Sequence, residues 1–245
     1  MKERSGWYSE RLGQGMGVVR WGHWGRPVLL FPTAGGDAEE CERHGMVDAL
    51  GGLIDAGRIK LFSVDSVAGR AWMEKRDPYR CSRLQNAFDA FLYHELVPAI
   101  RTDCRVDPQS GEVGIVTAGA SIGAFNAVAA LCRHPDVFTH AIGMSGTYDL
   151  EPWLGGAWNE DFYFASPLHF LPNLGEGDQL TTLRQRHVTL ATGEGAWENP
   201  GESWRMAHVL GQKGIPNRVD PWGPDHDHDW PTWRAMLPKY LGELG

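Results

Sequence analysis

The chain has 245 residues, a net charge of −8, 42% hydrophobic residues and four cysteines. That length and apolar content suit an α/β domain whose core needs no disulfides. The acidic balance offers no basic stripe for phosphate contacts and no polybasic patch for an anionic bilayer, which argues against nucleic-acid and membrane partners.

No repeat, low-complexity tract, charge block or Pro/Ser-rich linker divides the chain, so residues 1–245 read as a single domain. The start carries charges but no apolar h-region, and no apolar run is long enough to span a bilayer. The expected location is therefore cytoplasmic. Cys41, Cys81, Cys104 and Cys132 form no C-x-x-C pair and read as reduced thiols, with Cys132 as core filler.

In chain order, the segment through residues 17–21 reads as two short strands forming an antiparallel edge. Residues 27–32 form a buried-strand run. Residues 37–56 read as a helix with Met46, Leu50, Leu53 and Ile54 on one face, and residues 59–65 as the next strand. From about residue 83 to 100, Leu84, Ala87, Phe88, Phe91, Leu92, Leu96 and Ile100 make one apolar helical stripe. A strand then leads up to Ala118, a helix runs from Ala124, and residues 137–145 are another strand. Residues 148–186 are rich in Pro, Gly and aromatics with weak periodicity, and read as an irregular insertion near the active site, over the top of the sheet. Residues 187–192 are a strand. Asn199-Pro200 opens a helix to about Lys213, since Pro suits a first helical turn. Residues 215–222 are the last strand and residues 230–244 a terminal helix. This alternation predicts an α/β fold, with a mostly parallel central sheet and helices on both faces.

The most informative stretch is Gly119-Ala120-Ser121-Ile122-Gly123, a G-x-S-x-G sequence set between a strand and a helix. That is the setting of a nucleophile elbow, in which a strained turn lifts the Ser hydroxyl above the sheet. An inert Gly-rich turn is the bland alternative, and the remaining groups decide between the two. Acyl transfer by Ser also needs a general base, a group orienting it, and oxyanion donors.

For an elbow of this type the chain order is Ser, then acid, then His. His226 and His228 both follow the last strand, and His228, nearer the terminal helix, is the preferred base. Glu194 and Glu198 follow the preceding strand. Glu198, deeper in its loop, is the preferred acid, with Asp149 as an alternative position. Each carboxylate could equally be a surface charge or a helix cap. Ile122 N–H at the helix start would be one oxyanion donor. Ala34 or Gly35, in the small-residue loop after residues 27–32, would supply the other. Trp72, Trp153, Trp158 and Trp197 are candidates for substrate-pocket walls, with core packing as the alternative for each.

Alternating His and Asp at residues 226–229 could ligate a metal, but no third His is grouped with them, so no metal is expected. Gly13, Gly15 and Gly17 open no helix after a parallel strand, and no Gly loop is followed by G-K-[ST]. No organic cofactor is expected.

With these residues in view, the chain resembles the Putative esterase family of α/β-hydrolases, which includes S-formylglutathione hydrolase (esterase D), feruloyl esterases and the antigen 85 mycolyltransferases. The resemblance rests on Gly119 to Gly123, on His134-Pro135-Asp136-Val137-Phe138 leading to Ser145-Gly146, and on His228-Asp229-Trp230 with Trp233. A bacterial esterase-like group is more similar still, through Phe31-Pro32-Thr33, Gly35-Gly36-Asp37 and Trp222-Gly223. The resemblance implies an α/β-hydrolase fold and a serine esterase. Its H-x-W-x-x-W ending carries the catalytic His over to His228, and its acid falls on Glu198, where the esterase D group usually has Asp. No thiol-recognition feature for formylglutathione is evident in this chain.

These readings converge on a serine hydrolase that cleaves a small-molecule carboxylic ester through an acyl-enzyme on Ser121. An acyltransferase using the same triad and a non-catalytic scaffold are the alternatives. The sequence leaves the oligomeric state open, a homo-oligomer included.

Overall fold

The structure, a computed structural model, describes residues 1–74, 77–104 and 113–244. Side chains alternate between two cores along the central strands, and this explains the layering. On β3 (Arg26–Phe31), Val28 and Leu30 point to one core while Leu29 and Phe31 point to the other. On β4 (Ile59–Val64), Ile59 and Leu61 join the first core, and Phe62 and Val64 the second. A strand buried on both faces must be covered by helices on both sides.

One cover is the helix Pro78–Phe91 with its continuation, the elbow helix Ile122–Arg133, and the helix Pro200–Gln212. The other is the terminal helix Trp230–Glu243 and three short helices between Glu40 and Asp55. The remaining strands are β1 (Lys2–Ser9), β2 (Gln14–Trp21), β5 (Ile115–Ala120), β6 (Phe138–Met144), β7 (His187–Thr192) and β8 (Asn217–Pro221). Among the described residues they form one eight-stranded sheet in the order β1-β2-β4-β3-β5-β6-β7-β8. The β1–β2 and β2–β4 pairs are antiparallel and all others parallel. This is the mostly parallel sheet with helices on both faces that the sequence predicts.

Two elements differ from the sequence reading. The expected helix over residues 37–56 is broken into pieces, because Gly45 takes a left-handed φ of 73° that ends one helical turn and starts the next. The helix expected from about residue 83 starts earlier, at Pro78, capped by the Asp77 carboxylate accepting from Tyr79 N–H. It widens into a π turn over Leu92–Leu96 before Val97–Asp103. Pro98 explains the widening, since its ring and missing N–H are incompatible with a regular turn there.

The segment after β6 contains short helices, Glu160–Ala165, Pro167–Phe170 and Asp178–Leu183. It begins beside the elbow, where Thr147 N–H donates to Ser121 O at 3.2 Å. It then runs down the sheet face until Gln179 Nε2 donates to Cys132 O at the far end of the elbow helix. Among the described residues no helix is long and apolar enough to cross a membrane. All four cysteines are free, and Cys132 lies in the core with burial pushing its thiol far up from the ordinary range.

Two stability outcomes follow. Leu29 is fully buried in the sheet, so Leu29→Ala should lower unfolding free energy by about 2–5 kcal/mol in urea titrations. His140 and His187 face each other on β6 and β7 with ring centroids 6.3 Å apart. Burial lowers both pKa values, and for His140 the neighbouring His187, Arg26 and Arg186 add to it, as Arg218 does for His187. A lowered folded-state pKa means the unfolded chain takes up the proton first. The pair's contribution is therefore intact above about 6.5 and is lost as pH falls below that value. The urea midpoint should drop between pH 7 and 5, and drop less in the His140→Asn/His187→Gln double variant.

Candidate active site

Ser121 follows β5 directly and has φ 56° and ψ −125°, a strained conformation for a residue with a Cβ. The glycines on either side make the turn feasible. A Cβ on Gly119 would lie 2.2 Å from Gly123 O, and one on Gly123 would lie 2.6 Å from Phe31 O and 2.7 Å from Pro32 O. The elbow is thus pressed both on itself and on the end of β3. Ser121 N–H donates to Met144 O at 3.0 Å, which fixes the turn against β6. Ile122 is the first residue of the elbow helix, so its N–H lies where the helix favours negative charge.

The loop after β3 is held by two carboxylates, the buried Glu40 and the half-buried Asp65. Glu40 accepts from Thr33 N–H at 2.7 Å and from Thr33 Oγ1 at 2.6 Å. Asp65 accepts from Ala38 N–H at 3.0 Å and from Gly17 N–H at 2.7 Å. Ala34 packs in the same apolar cluster as Ile122. A Cβ on Gly69 would meet both the Ile122 side chain at 3.3 Å and Ala34 O at 3.5 Å. Among the described residues, neither Ala34 N–H nor Gly35 N–H donates within the loop's backbone hydrogen bonds.

The loop after β7, which carries Glu194 and Glu198, and the loop after β8, which carries His226 and His228, are zipped together by main-chain bonds. Trp222 N–H donates to Thr192 O, Glu194 N–H to Gly223 O, Gly195 N–H to His226 O, and His228 N–H to Ala196 O, all between 2.9 and 3.0 Å. Asp227 closes the zip by accepting from Ala196 N–H at 2.6 Å. Only glycine fits at residue 193, where a Cβ would lie 2.0 Å from His226 O. This packing turns His228 Nδ1 toward Glu198 Oε1 at 4.0 Å, an ion-pair distance longer than a hydrogen bond. His226 instead sets its ring edge-on to Trp222 at 5.1 Å.

The Glu198 side chain is 1% exposed. Its Oε1 accepts from Ser145 Oγ, and its Oε2 from Thr192 Oγ1 at 3.4 Å. The other two candidate acids are placed differently. Glu194 is exposed, and Asp149 pairs with Arg205 while capping Glu151 N–H. The imidazoles that hydrogen-bond to side chains among the described residues are His134 and His169.

A family model described as Putative esterase matches residues 64–244. The chain belongs to that family. Membership makes the protein a carboxylic ester hydrolase. No curated protein matches the chain. Among solved structures it is similar to a ferulic acid esterase, with a TM-score of 0.71 at 16% identity over 100% of this chain and 97% of that one. It is similar to Mycobacterium tuberculosis MPT51, with a TM-score of 0.72 at 19% identity over 100% and 97% of the two chains. An S-formylglutathione hydrolase from Agrobacterium tumefaciens gives 0.72 at 13% identity over 99% and 94%. Likenesses at such identities establish the fold.

In this esterase the four tryptophans divide. Trp72 is 2% exposed, with its indole N–H donating to Gln85 Oε1 at 3.2 Å, so it is core and not an open pocket wall. Trp153 and Trp158 are exposed, and Trp158 lines a cavity of about 290 Å³ with Asp149, Glu151, Pro152, Leu154 and Gly156. Trp197 is 92% exposed at a left-handed φ of 64°, beside Glu198. Among the described residues no group of three or more His, Cys, Asp or Glu is placed to hold a metal.

Several groups that build the site carry little signal in the sequence. Glu202 accepts from both Tyr148 N–H and Asp149 N–H at 2.8 Å, fixing the segment next to Ser121. Glu40, Asp65 and Asp227 act likewise on backbone. Nothing in residue type separates them from surface carboxylates. Ser145 and Trp233, by contrast, lie in the motifs that carry the family resemblance.

The elbow geometry yields a direct outcome. Gly119→Ala places its Cβ against Gly123 backbone, so it should lose at least about 1–3 kcal/mol of stability. Thermal melts followed by circular dichroism would measure it.

Proposed function

We propose that the esterase works through an acyl-enzyme on Ser121, with His228 as general base and Glu198 as the group that orients it. The observation that carries this reading is the strained Ser121 at a helix N-terminus, with a His–carboxylate pair on the two zipped loops at the same end of the sheet. Ser121 Oγ attacks the ester carbonyl carbon as His228 takes its proton. The developing oxyanion is met by Ile122 N–H and by the N–H of Ala34 or Gly35. His228 then returns the proton to the departing alcohol, and water repeats the sequence to release the acid. The substrate is a small-molecule ester, and exposed Trp153, Trp158 and Trp197 are the proposed walls.

Glu198 suits its role because it is buried and its two oxygens accept from Ser145 Oγ and Thr192 Oγ1, which holds the carboxylate still. Burial is the largest influence on His228 and lowers its pKa, against the raising effects of Glu198 and Asp229. A base must be neutral to act. Lowering therefore extends activity to more acid pH, with the acid limb of kcat/KM below the ordinary His value of about 6.5. Rates on p-nitrophenyl butyrate between pH 4.5 and 8 would check this, and an acid limb above 7 would contradict it.

The same ester tests the assignments. Ser121→Ala and His228→Ala should each lower kcat by about 10⁴-fold or more, and Glu198→Gln by about 10³- to 10⁴-fold, with the fold retained. Unchanged turnover in Ser121→Ala would sink the reading.

A further inference from the structure

We propose that Ser145, held in place by Trp233, is a positioning residue that aims the Glu198 carboxylate at His228. The inference rests on the triad reading above.

The Trp233 indole N–H can only donate, and it donates to Ser145 Oγ at 2.9 Å. Ser145 has a single hydroxyl proton. With its oxygen already accepting from Trp233, that proton goes to Glu198 Oε1. Thr192 Oγ1 also has one proton, and its contact with Gly193 O at 3.0 Å is shorter than its contact with Glu198 Oε2 at 3.4 Å. Ser145 is therefore the principal side-chain donor to this carboxylate. It bonds to the same oxygen, Oε1, that faces His228 Nδ1. A buried acceptor left without a donor is costly, so this bond fixes the direction of the Glu198 carboxylate.

Placement supports the same role. Ser145 is buried at a left-handed φ of 47°, a position where backbone preference alone would select glycine. Its N–H donates to Ala191 O at 2.8 Å, while the preceding Met144 O accepts from Ser121 N–H. One peptide thus ties the nucleophile to the strand that leads to the acid. Trp233 adds a second constraint, its ring lying edge-on to His228 at 5.2 Å and 85°. A single indole therefore braces both the base and the donor to the acid.

The test is the rate of Ser121 labelling by a fluorophosphonate probe as a function of pH. It would use wild type, Ser145→Ala, Ser145→Gly and Trp233→Phe, with Ser121→Ala and His228→Ala alongside. Glycine accommodates the positive φ, so Ser145→Gly removes the hydroxyl without backbone strain should the alanine variant fold poorly. Loss of a hydrogen bond to a charged group corresponds to about a 10- to 100-fold effect. We expect kinact to fall by about that factor in both Ser145 variants, with KI unchanged. Without the Ser145 proton, Oε1 presents more of its charge to the imidazole. The acid limb should therefore move to higher pH, and move the same way but less in Trp233→Phe. Labelling within twofold of wild type, or slower labelling with an acid limb that stays put or moves down, would overturn the inference. If Ser121→Ala and His228→Ala are dead while the Ser145 variants match wild type, only this inference fails. If His228→Ala labels like wild type, or Ser121→Ala still labels, the triad reading fails and takes this inference with it.

Discussion

The site depends on the close passage of three pieces of backbone at one end of the sheet. The chain leaves β5, reverses at Ser121 and enters a helix while touching the end of β3. Only residues without a Cβ at 119 and 123 permit the contact distances of 2.2 to 2.7 Å that a Cβ would meet there. The left-handed backbone of Ser121 is the result of that crowding. Strain of this kind costs about 1–3 kcal/mol and survives only where the surroundings over-determine it. Here the surroundings are two strands and a helix buried in the core.

The proposed acid and base, by contrast, sit on loops, yet these loops behave as one body. Their main chains exchange a ladder of hydrogen bonds like a short continuation of the β7–β8 pairing. Loops ordered in this way give precision without secondary structure. They also explain why a four-residue His and Asp run need not be a metal site. Asp227 is used on backbone, His226 on Trp222, and Asp229 caps the terminal helix through Thr232 N–H at 3.0 Å. His228 is left turned toward Glu198.

Much of the fold was legible in the sequence because its signals are local. The apolar runs of β3, β4 and β7 and the G-x-S-x-G setting state their structure in consecutive residues. The helix expected over residues 37–56 failed because an amphipathic pattern persists through Gly45 while the backbone does not. The candidate site was legible where residue type is distinctive, as for Ser121 and His228. It was illegible where side chains serve distant backbone. Glu202, Glu40 and Asp65 gain their importance from partners up to 54 residues away, which no spacing rule conveys. Residue type left Trp72 open between a pocket wall and the core, because exposure is a tertiary property, and its neighbours Phe162 and Trp153 come from elsewhere in the chain.

Asp65 joins three parts of the protein at one carboxylate, and it stands at the start of the stretch that matches the family. One of its oxygens holds the antiparallel edge through Gly17, and the other holds the loop after β3 through Ala38. The first quarter of the chain therefore lies outside what the family pattern recognises but inside the physical unit around Ser121. Changes in the N-terminal hairpin have a two-bond route to the loop that carries Ala34 and Gly35. Inheritance of the family pattern and integrity of the working site are, in this protein, properties of different lengths of chain.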